Sequence, residues 1–355
     1  MKGLRVFFKS ERLATRVVLG TGFVLLVTAT GIGMMHTRTS TNTSFLQTKD
    51  TLTILTTPLA VLPPHAHKES ATGIDSGLAP GHGVLVESER YEIPFDMWVV
   101  GIEKKSDRAP LSILHHLILY KAGYPNAQCS NRDAEIYNSG ADTHPTVSFL
   151  SPYGVFLKKG TVIYLRGMVH NPEPPRGPGG TYTGSSVGYT LTYERPSPKR
   201  SKPVLFYRLF LYDGLHCLVP EETVTSNADV FTVPNGAKHF EKIPDAETKN
   251  NQARMTFTTS GTIIGLGGHL HPEDGGEKLE FLKGDEVIAT IVPKQISAYV
   301  WESLRIGNPD SIRVTSGDTF SIRATYSNPY KFQIEDAMGQ GAFFFVPDDV
   351  RSAMQ

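Results

Sequence analysis

The sequence contains few cysteines, no excess of either charge and little helical periodicity. Its 355 residues include only two cysteines, Cys129 and Cys217, which could form one bridge but exclude a disulfide-dense scaffold or a zinc finger. Lys plus Arg and Asp plus Glu both number 35, so the formal net charge is zero and a nucleic-acid partner is not expected. Outside one N-terminal segment, no helical repeat of apolar residues persists for three turns, which argues against a helix-based cofactor fold.

The residues that are abundant favour strands. The chain has 33 Gly and 24 Pro together with many Thr, Val, Tyr and Phe residues. This composition is typical of short strands joined by tight turns. A length of 355 residues exceeds one typical domain. We therefore expect an all-β protein with more than one globular unit.

One long apolar run lies near the N terminus, from Val17 to Met35. It is long enough to cross a hydrocarbon core of ~30 Å as a helix. Residues 1–16 carry several basic side chains, which favours a cytoplasmic position for this short tail. We therefore predict a transmembrane signal anchor at residues 17–36, with a cleaved signal peptide as the alternative. In both cases the folded part lies outside the cytoplasm, in a periplasmic, extracellular or lumenal space.

The rest of the chain divides into a linker and two halves. Residues 37–80 are rich in Thr, Ser and Pro and predict a flexible linker. Short apolar stretches separated by turn residues then continue to the C terminus. The basic, proline-bracketed segment 196–203 is expected to carry few packed contacts, so it divides the halves at 81–200 and 201–355. Each half has the size of an antiparallel β-sandwich.

Two histidines one residue apart end a strand-like run, TIIGLGGHLH. Because side chains alternate along a strand, His269 and His271 share one face with the small residue Gly267, and Ile264, Leu266 and Leu270 share the other. The glycine-lined face leaves open space beside two imidazoles. This arrangement is a metal-ligand geometry, although solvated histidines at a strand end are the ordinary alternative.

Three more histidines lie in apolar surroundings. His115 and His116 interrupt the run LSILHHLILY, where an imidazole without a partner would lose its hydration. Adjacent residues point to opposite faces of a strand, so a shared ion would require a bulge at this pair. His170 ends a further strand-like run and offers a third imidazole. A hydrogen-bonded pair in the core is the alternative reading.

A third ligand for His269 and His271 would come from the segment FQIEDAMGQGAFFFVP. Met338 lies there beside glycines, and Glu335 and Asp336 precede it. A thioether would select copper, especially Cu(I), whereas a carboxylate would suit zinc or iron. A methionine at this position is also a common filler of core gaps.

The order of these motifs resembles the copper type II, ascorbate-dependent monooxygenases, the family of peptidylglycine α-hydroxylating monooxygenase and dopamine β-monooxygenase. The resemblance covers about residues 84 to 347: His-His, then Val-His, then His-x-His, then Met before an aromatic strand. It implies two tandem jelly-roll sandwiches that face each other across a solvent-filled cleft. Each would hold one copper ion.

The resemblance also implies a role for each residue. His115, His116 and His170 would form the electron-supplying copper site, and His269, His271 and Met338 the oxygen-binding site. Ascorbate or an equivalent donor would reduce both ions, and O2 would hydroxylate a C–H bond of a small organic substrate.

The sequence departs from the peptide-amidating members of that family at two positions. These enzymes hold the substrate's carboxylate with an Arg and a Tyr, where this chain has Gly267 and Ala342. A peptidylglycine substrate is therefore not expected, and a small or apolar one suits the site better. Two other functions stay open: a non-catalytic copper-binding or adhesive β-sandwich, and a zinc or iron enzyme that uses His269, His271 and a carboxylate such as Glu335.

Overall fold

The structure is a computed structural model that describes most of the chain after residue 48. It describes residues 49–354 except 65–68, 71–72, 75–83, 128–131, 141–142, 172–178, 212–230, 244–252, 271–274, 298–299 and 303–311. Cys129, Cys217 and His271 therefore lie outside the described residues, as does the apolar run at 17–36. The described residues all belong to one compact unit, Gln47–Gln355.

The described residues are almost entirely strands and turns, which confirms the all-β prediction. A 3-10 turn at Leu111–Ile113 and a short helix, α1, at Val350–Ala353 are the exceptions among them. The strands of the first half and the segment before it are β1 (Asp50–Leu55), β2 (Leu59–Leu62), β3 (Glu69–Ser70), β4 (Gly73–Ile74), β5 (Val84–Glu87), β6 (Tyr91–Glu92), β7 (Met97–Asp107), β8 (Leu114–Pro125), β9 (Asp133–Ser139), β10 (Thr146–Ser148), β11 (Tyr153–Leu157), β12 (Val162–Val169), β13 (Tyr182–Glu194) and β14 (Lys202–Pro203). Those of the second half are β15 (Leu205–Leu211), β16 (Phe231–Val233), β17 (Phe240–Lys242), β18 (Arg254–Thr256), β19 (Gly261–Leu270), β20 (Gly276–Lys283), β21 (Glu286–Ile291), β22 (Lys294–Ser297), β23 (Val300–Glu302), β24 (Ile312–Val314), β25 (Thr319–Tyr326), β26 (Ile334–Ala337) and β27 (Gly339–Pro347).

Each half is built from two main sheets. In the first half, one sheet has the order β1-β13-β7-β11-β14 and the other β5-β12-β8-β9. In the second half the orders are β15-β27-β19-β24 and β17-β25-β20-β21. Nearly all neighbouring strands are antiparallel; β11 with β14 and β26 with β4 are parallel. Each pair of sheets encloses a hydrophobic core, which is the layering of a β-sandwich.

Strand β27 connects the two cores. Its central residues alternate between them: Phe343 and Phe345 pack in the second core, and Phe344 packs in the first. The Phe344 ring lies 5.3 Å from the ring of Phe149 and 5.6 Å from that of Phe206, measured between centroids. The apolar run AFFFVP is thus buried on both faces, because each face belongs to a different half.

The linker predicted for residues 37–80 is wrong over residues 50–62. Strand β1 pairs with β13 from Asp50 to Leu55, and β2 pairs with the same strand. Ile54 and Leu62 are buried in the first core. The run DTLTIL alternates polar and apolar residues, so it has the pattern of a half-buried strand within a Thr-rich stretch.

The expectation of few packed contacts in segment 196–203 is also wrong. Arg200 is buried there and forms a bidentate ion pair with Glu194, with Nε 2.9 Å from Oε2 and Nη2 3.1 Å from Oε1. Its Nη1 donates to the carbonyl oxygens of Phe149 and Tyr153. A guanidinium supplies several hydrogen-bond donors in one plane. Here the donors of Arg200 bond segment 196–203 to the first half.

No helix in the described parts of the chain combines the length and hydropathy needed to cross a bilayer. The apolar run from Val17 to Met35 lies outside those parts. The signal anchor therefore stays a prediction.

We predict that Glu194→Gln lowers the free energy of unfolding by about 2 kcal/mol at pH 7, because a charge-assisted bidentate pair is lost. Hydrogen bonds from Arg200 hold the pKa of Glu194 below its usual value. The carboxylate's contribution is present above its unfolded-state pKa of about 4.3 and is lost as the pH falls through the lower folded-state pKa. Urea unfolding of both proteins should therefore show a difference at pH 7 that shrinks below about pH 4. A difference that does not depend on pH would contradict this assignment.

Candidate functional site

The first histidine pair lies at a bulge in β8. Val169 pairs with Leu114 and Met168 pairs with His116, so His115 is the extra residue in the ladder. A bulge rotates one side chain out of the strict alternation of a strand. As a result, the rings of His115 and His116 lie on the same side, with centroids 4.2 Å apart. As the sequence predicted, His115 and His116 can share one site only at such a bulge.

His269 comes from the second half, near the end of β19. A bulge between Ile263 and Gly265 changes the face assignment at the start of this strand. Ile263, rather than Ile264, packs in the second core, and Ile264 packs against the first, which corrects the alternation expected from sequence. From Leu266 onwards the expected alternation holds, since a side chain at Gly268 would meet Leu279 in the core and one at Gly267 would meet nothing within 4 Å.

Histidines of both halves form one cluster. The ring of His115 lies 4.9 Å from that of His170, and the ring of His116 lies 4.9 Å from that of His269. His115 and His269 are 6.3 Å apart, again between centroids. Two imidazoles bound to one ion at about 2.0–2.1 Å have centroids roughly 4.5–5 Å apart. Neighbouring rings in the cluster are therefore at a separation that suits metal ligands.

In the cluster, His115 and His269 are buried and His116 and His170 are half-buried, and backbone hydrogen bonds hold its strands in place. His115 is 4% exposed and His269 is 8% exposed. The backbone N–H of His170 donates to the carbonyl of Ile113 at 2.8 Å, which holds the end of β12 beside the start of β8. The buried phenol of Tyr189 donates to the carbonyl of Leu117, the residue after His116, at 2.6 Å. Burial raises the pKa of Tyr189, so this phenol stays a neutral donor.

Met338 lies at the same end of the second half as His269. It immediately precedes Gly339, which pairs with Leu270. Met338 is 3% exposed and packs against Met168 of the first half, the residue that pairs with His116. Sequence reasoning missed Met168. Its position two residues before His170 on one strand face was the available signal, although a lone methionine in a strand usually fills a core gap.

A chain of hydrogen bonds connects Met338 to the first half. Gln340 Nε2 donates to the sulfur of Met338 at 2.9 Å, and Arg208 Nη1 donates to Gln340 Oε1 at 3.4 Å. Arg208 Nη2 donates to Glu135 Oε1 at 2.6 Å. The side chains of Arg208 and Glu135 are both 8% exposed. Both partners of such a pair lose their hydration on burial. Removing one partner therefore leaves the other as a buried charge without compensation.

A pocket with a cavity volume of about 80 Å³ opens beside His116 and His269, between the two halves. Gly267 and Ala342 form part of its wall, together with the rings of Tyr137 from the first half and of Phe206 and Phe344 from the second. Its polar lining includes Asn138 and Arg208. A mostly apolar wall with a few polar groups is typical of small-molecule sites.

The structure brings together His115, His116, His170 and His269, and it places Met338 at the same end of the second half as His269. His271 lies outside the described residues, and the side chains of Glu335 and Asp336 are not described. Within the described residues, no group of three or more His, Cys, Asp and Glu side chains has the spacing to enclose a single ion. Metal binding therefore stays a prediction that requires a donor beyond the described imidazoles.

Comparisons with known proteins do not assign a family. No protein-family profile and no curated protein match the chain. Similar solved structures include PNGF-II (10% identity, TM-score 0.40, 84% of this chain and 65% of that one) and peptide:N-glycanase F (11% identity, TM-score 0.39, 84% and 95%). The major capsid protein of bacteriophage PM2 is another (8% identity, TM-score 0.31, 81% and 96%). Similarities this weak carry no functional inference.

Neighbouring glycines on β19 test the face assignment. We predict that Gly267→Val leaves the free energy of unfolding unchanged or raises it by up to about 1 kcal/mol, because the side chain enters open space in a strand. Gly268→Val should lower it by about 1–3 kcal/mol, since its Cβ would lie 2.6 Å from Leu279 Cδ2. Urea unfolding measures both values. If both variants lost the same free energy of unfolding, Gly267 would not face the pocket.

Proposed function

We propose that this protein is a copper-dependent monooxygenase that hydroxylates a C–H bond of a small organic substrate with O2 and a one-electron reductant such as ascorbate. The observation that carries the proposal is the cluster of imidazoles from both halves beside an apolar pocket. Buried imidazoles grouped in this way are a common ligand set for copper and zinc. The pocket supplies space for a substrate next to them.

The donor types fit copper best. His115, His116 and His170, together with a donor outside the described residues, would hold one ion, and His269, His271 and Met338 the other. Met338 is buried beside Met168 and offers its sulfur at the same end of the second half as His269. A soft thioether favours Cu(I) over zinc or iron. Copper held there would supply one-electron redox chemistry and an open coordination position for O2.

The chain's own residues would position these ligands and exclude water. Gln340 orients the sulfur of Met338 through its amide N–H. Phe206 and Phe344 line the pocket and would place an apolar substrate against His116 and His269. Exclusion of water strengthens the interactions of charges and dipoles in the pocket.

The two proposed ligand sets lie closer together than the family resemblance implies. That resemblance predicts a solvent-filled cleft between the halves, whereas here the rings of His116 and His269 are 4.9 Å apart and aromatic residues pack around them. The pocket provides open space beside these two rings. His116 and His269, one from each proposed ligand set, would then be direct neighbours.

The remaining parts of the proposal concern architecture and location. The two sheet pairs would be tandem jelly-roll domains, and residues 17–36 would anchor the protein in a membrane with its folded part outside the cytoplasm. The charge pattern of residues 1–16 supports this orientation.

Copper counting tests the proposal. The full-length protein should bind two copper ions per chain, and His170→Ala should bind about one, because it removes a ligand from the first set. Met338→Leu, which preserves volume, should still bind two Cu(II) ions but lose Cu(I) more readily to a Cu(I)-specific chelator. Elemental analysis and chelator competition give these values.

His239→Ala is the matched control, since His239 is an exposed histidine of the second half that pairs with Glu277 at 2.8 Å. It should behave as the unaltered protein. Retention of zinc or iron in preference to copper would favour the carboxylate-dependent enzyme. Copper uptake without ascorbate-dependent O2 consumption across a substrate panel would favour the non-catalytic binding protein.

A further inference from the structure

We propose that Lys121 is a carbonyl-binding residue, whose amine forms an imine with a small aldehyde while the apolar body of that aldehyde occupies a second pocket. This pocket has a cavity volume of about 260 Å³. Phe206 and Arg208 line both this pocket and the one beside the histidines. Imine formation requires no copper, so this site is separate from the proposed oxygenase reaction.

Lys121 places its amine at the second pocket. The residue lies on β8 and pairs with Ile163 of β12 and Ala134 of β9, so neighbouring strands fix its backbone on both sides. Its Nζ lies 3.3 Å from the centroid of the Tyr124 ring, and both residues line the pocket. The nitrogen makes no hydrogen bond to a described residue, yet it is not one of the buried polar atoms. Solvent and small molecules therefore reach it.

The charge of Lys121 has no compensating partner. Among the described residues, no carboxylate lies within ion-pair distance of its Nζ. Glu135 lines the same pocket but pairs with Arg208 at 2.6 Å. Asp133, at the start of β9, instead accepts from the hydroxyl of Tyr164 at 2.9 Å. The half-buried ammonium therefore loses hydration without gaining a counterion.

These surroundings activate the amine. Burial and the positive charge of Lys158 lower the pKa of Lys121 to about 8. At pH 7 about a tenth of such a side chain is neutral, compared with roughly 0.04% for a lysine with the ordinary pKa of about 10.4. Desolvation together with a neighbouring cation is a general way to make lysine a nucleophile toward carbonyl compounds.

The neutral amine and an aldehyde are sufficient for the reaction. The nitrogen lone pair attacks the carbonyl carbon and forms a C–N bond, and two protons pass from nitrogen to the carbonyl oxygen, which leaves as water. The resulting imine becomes a cation when it is protonated. The Tyr124 ring, which already contacts the nitrogen, stabilises that cation by a cation–π interaction.

The wall of the pocket selects the rest of the ligand. Leu205 and Phe206 of β15 contribute apolar side chains to it, which suits an aromatic or aliphatic body. Among the described lining residues, Arg208 is committed to Glu135 and Lys121 becomes part of the imine. No described cation of the wall then remains for a carboxylate or phosphate, so an uncharged body is favoured.

Reductive labelling of the full-length protein tests this proposal. Benzaldehyde and sodium cyanoborohydride convert an imine to a benzylamine, because hydride adds to the imine carbon and a proton of water adds to the nitrogen. Peptide mapping by mass spectrometry gives the rate at each lysine. At pH 7 we expect Lys121 to react at least about 10-fold faster than Lys105, an exposed lysine of β7. Lys158→Gln should slow the labelling of Lys121 by about 2-fold or more, because it removes the neighbouring charge.

Formaldehyde is the matched probe without an apolar body, and its preference for Lys121 over Lys105 should be smaller than that of benzaldehyde. Tyr124→Leu should slow benzaldehyde labelling of Lys121, whereas Tyr124→Phe, which keeps the ring, should not. Lys105→Gln is the control and should leave the labelling of Lys121 unchanged. A metal chelator is present throughout, so the outcome does not depend on copper. Labelling of Lys121 no faster than that of Lys105 would overturn the proposal, as would equal preferences with the two aldehydes.

Discussion

Burial of strand β27 on both faces is the constraint on which the arrangement of this molecule depends. Phe343 and Phe345 complete the second core while Phe344 enters the first, so the two halves cannot separate without exposing aromatic surface. Burial of such side chains is worth about 1.5–3 kcal/mol each. Strand β19 pairs along the whole of β27, and His269 therefore reaches the cluster of the first half.

The same contact explains why buried polar groups gather there. The interface contains the Arg208–Glu135 ion pair, the Gln340 amide and four imidazoles, in a region that also contains several aromatic rings. Polar groups are costly in such surroundings unless they are paired or used by a ligand. Their concentration beside a pocket, rather than their individual identities, indicates a functional site.

The sequence predicted the features that depend on local periodicity. The all-β class, most of the strands and the open face of Gly267 and His269 follow from a two-residue repeat. The same repeat showed that His115 and His116 need a bulge to meet, which the pairing of β8 with β12 supplies. The bulge at Ile264 and the strand at Asp50–Leu55 were not predicted, because one breaks the repeat and the other lies within a Thr-rich stretch. Contacts such as Arg208 with Glu135 join residues distant in sequence, and no local pattern indicates them.

Anomalous diffraction at the copper edge, from crystals of the protein soaked in copper, tests the central claim most directly: imidazoles from both halves meet at one metal-binding cluster. The account predicts anomalous peaks at ligand distance, about 2.0–2.1 Å, from ring nitrogens of the first-half histidines and of His269. Peaks confined to surface histidines such as His239, or His116 and His269 separated by a water-filled gap, would contradict it.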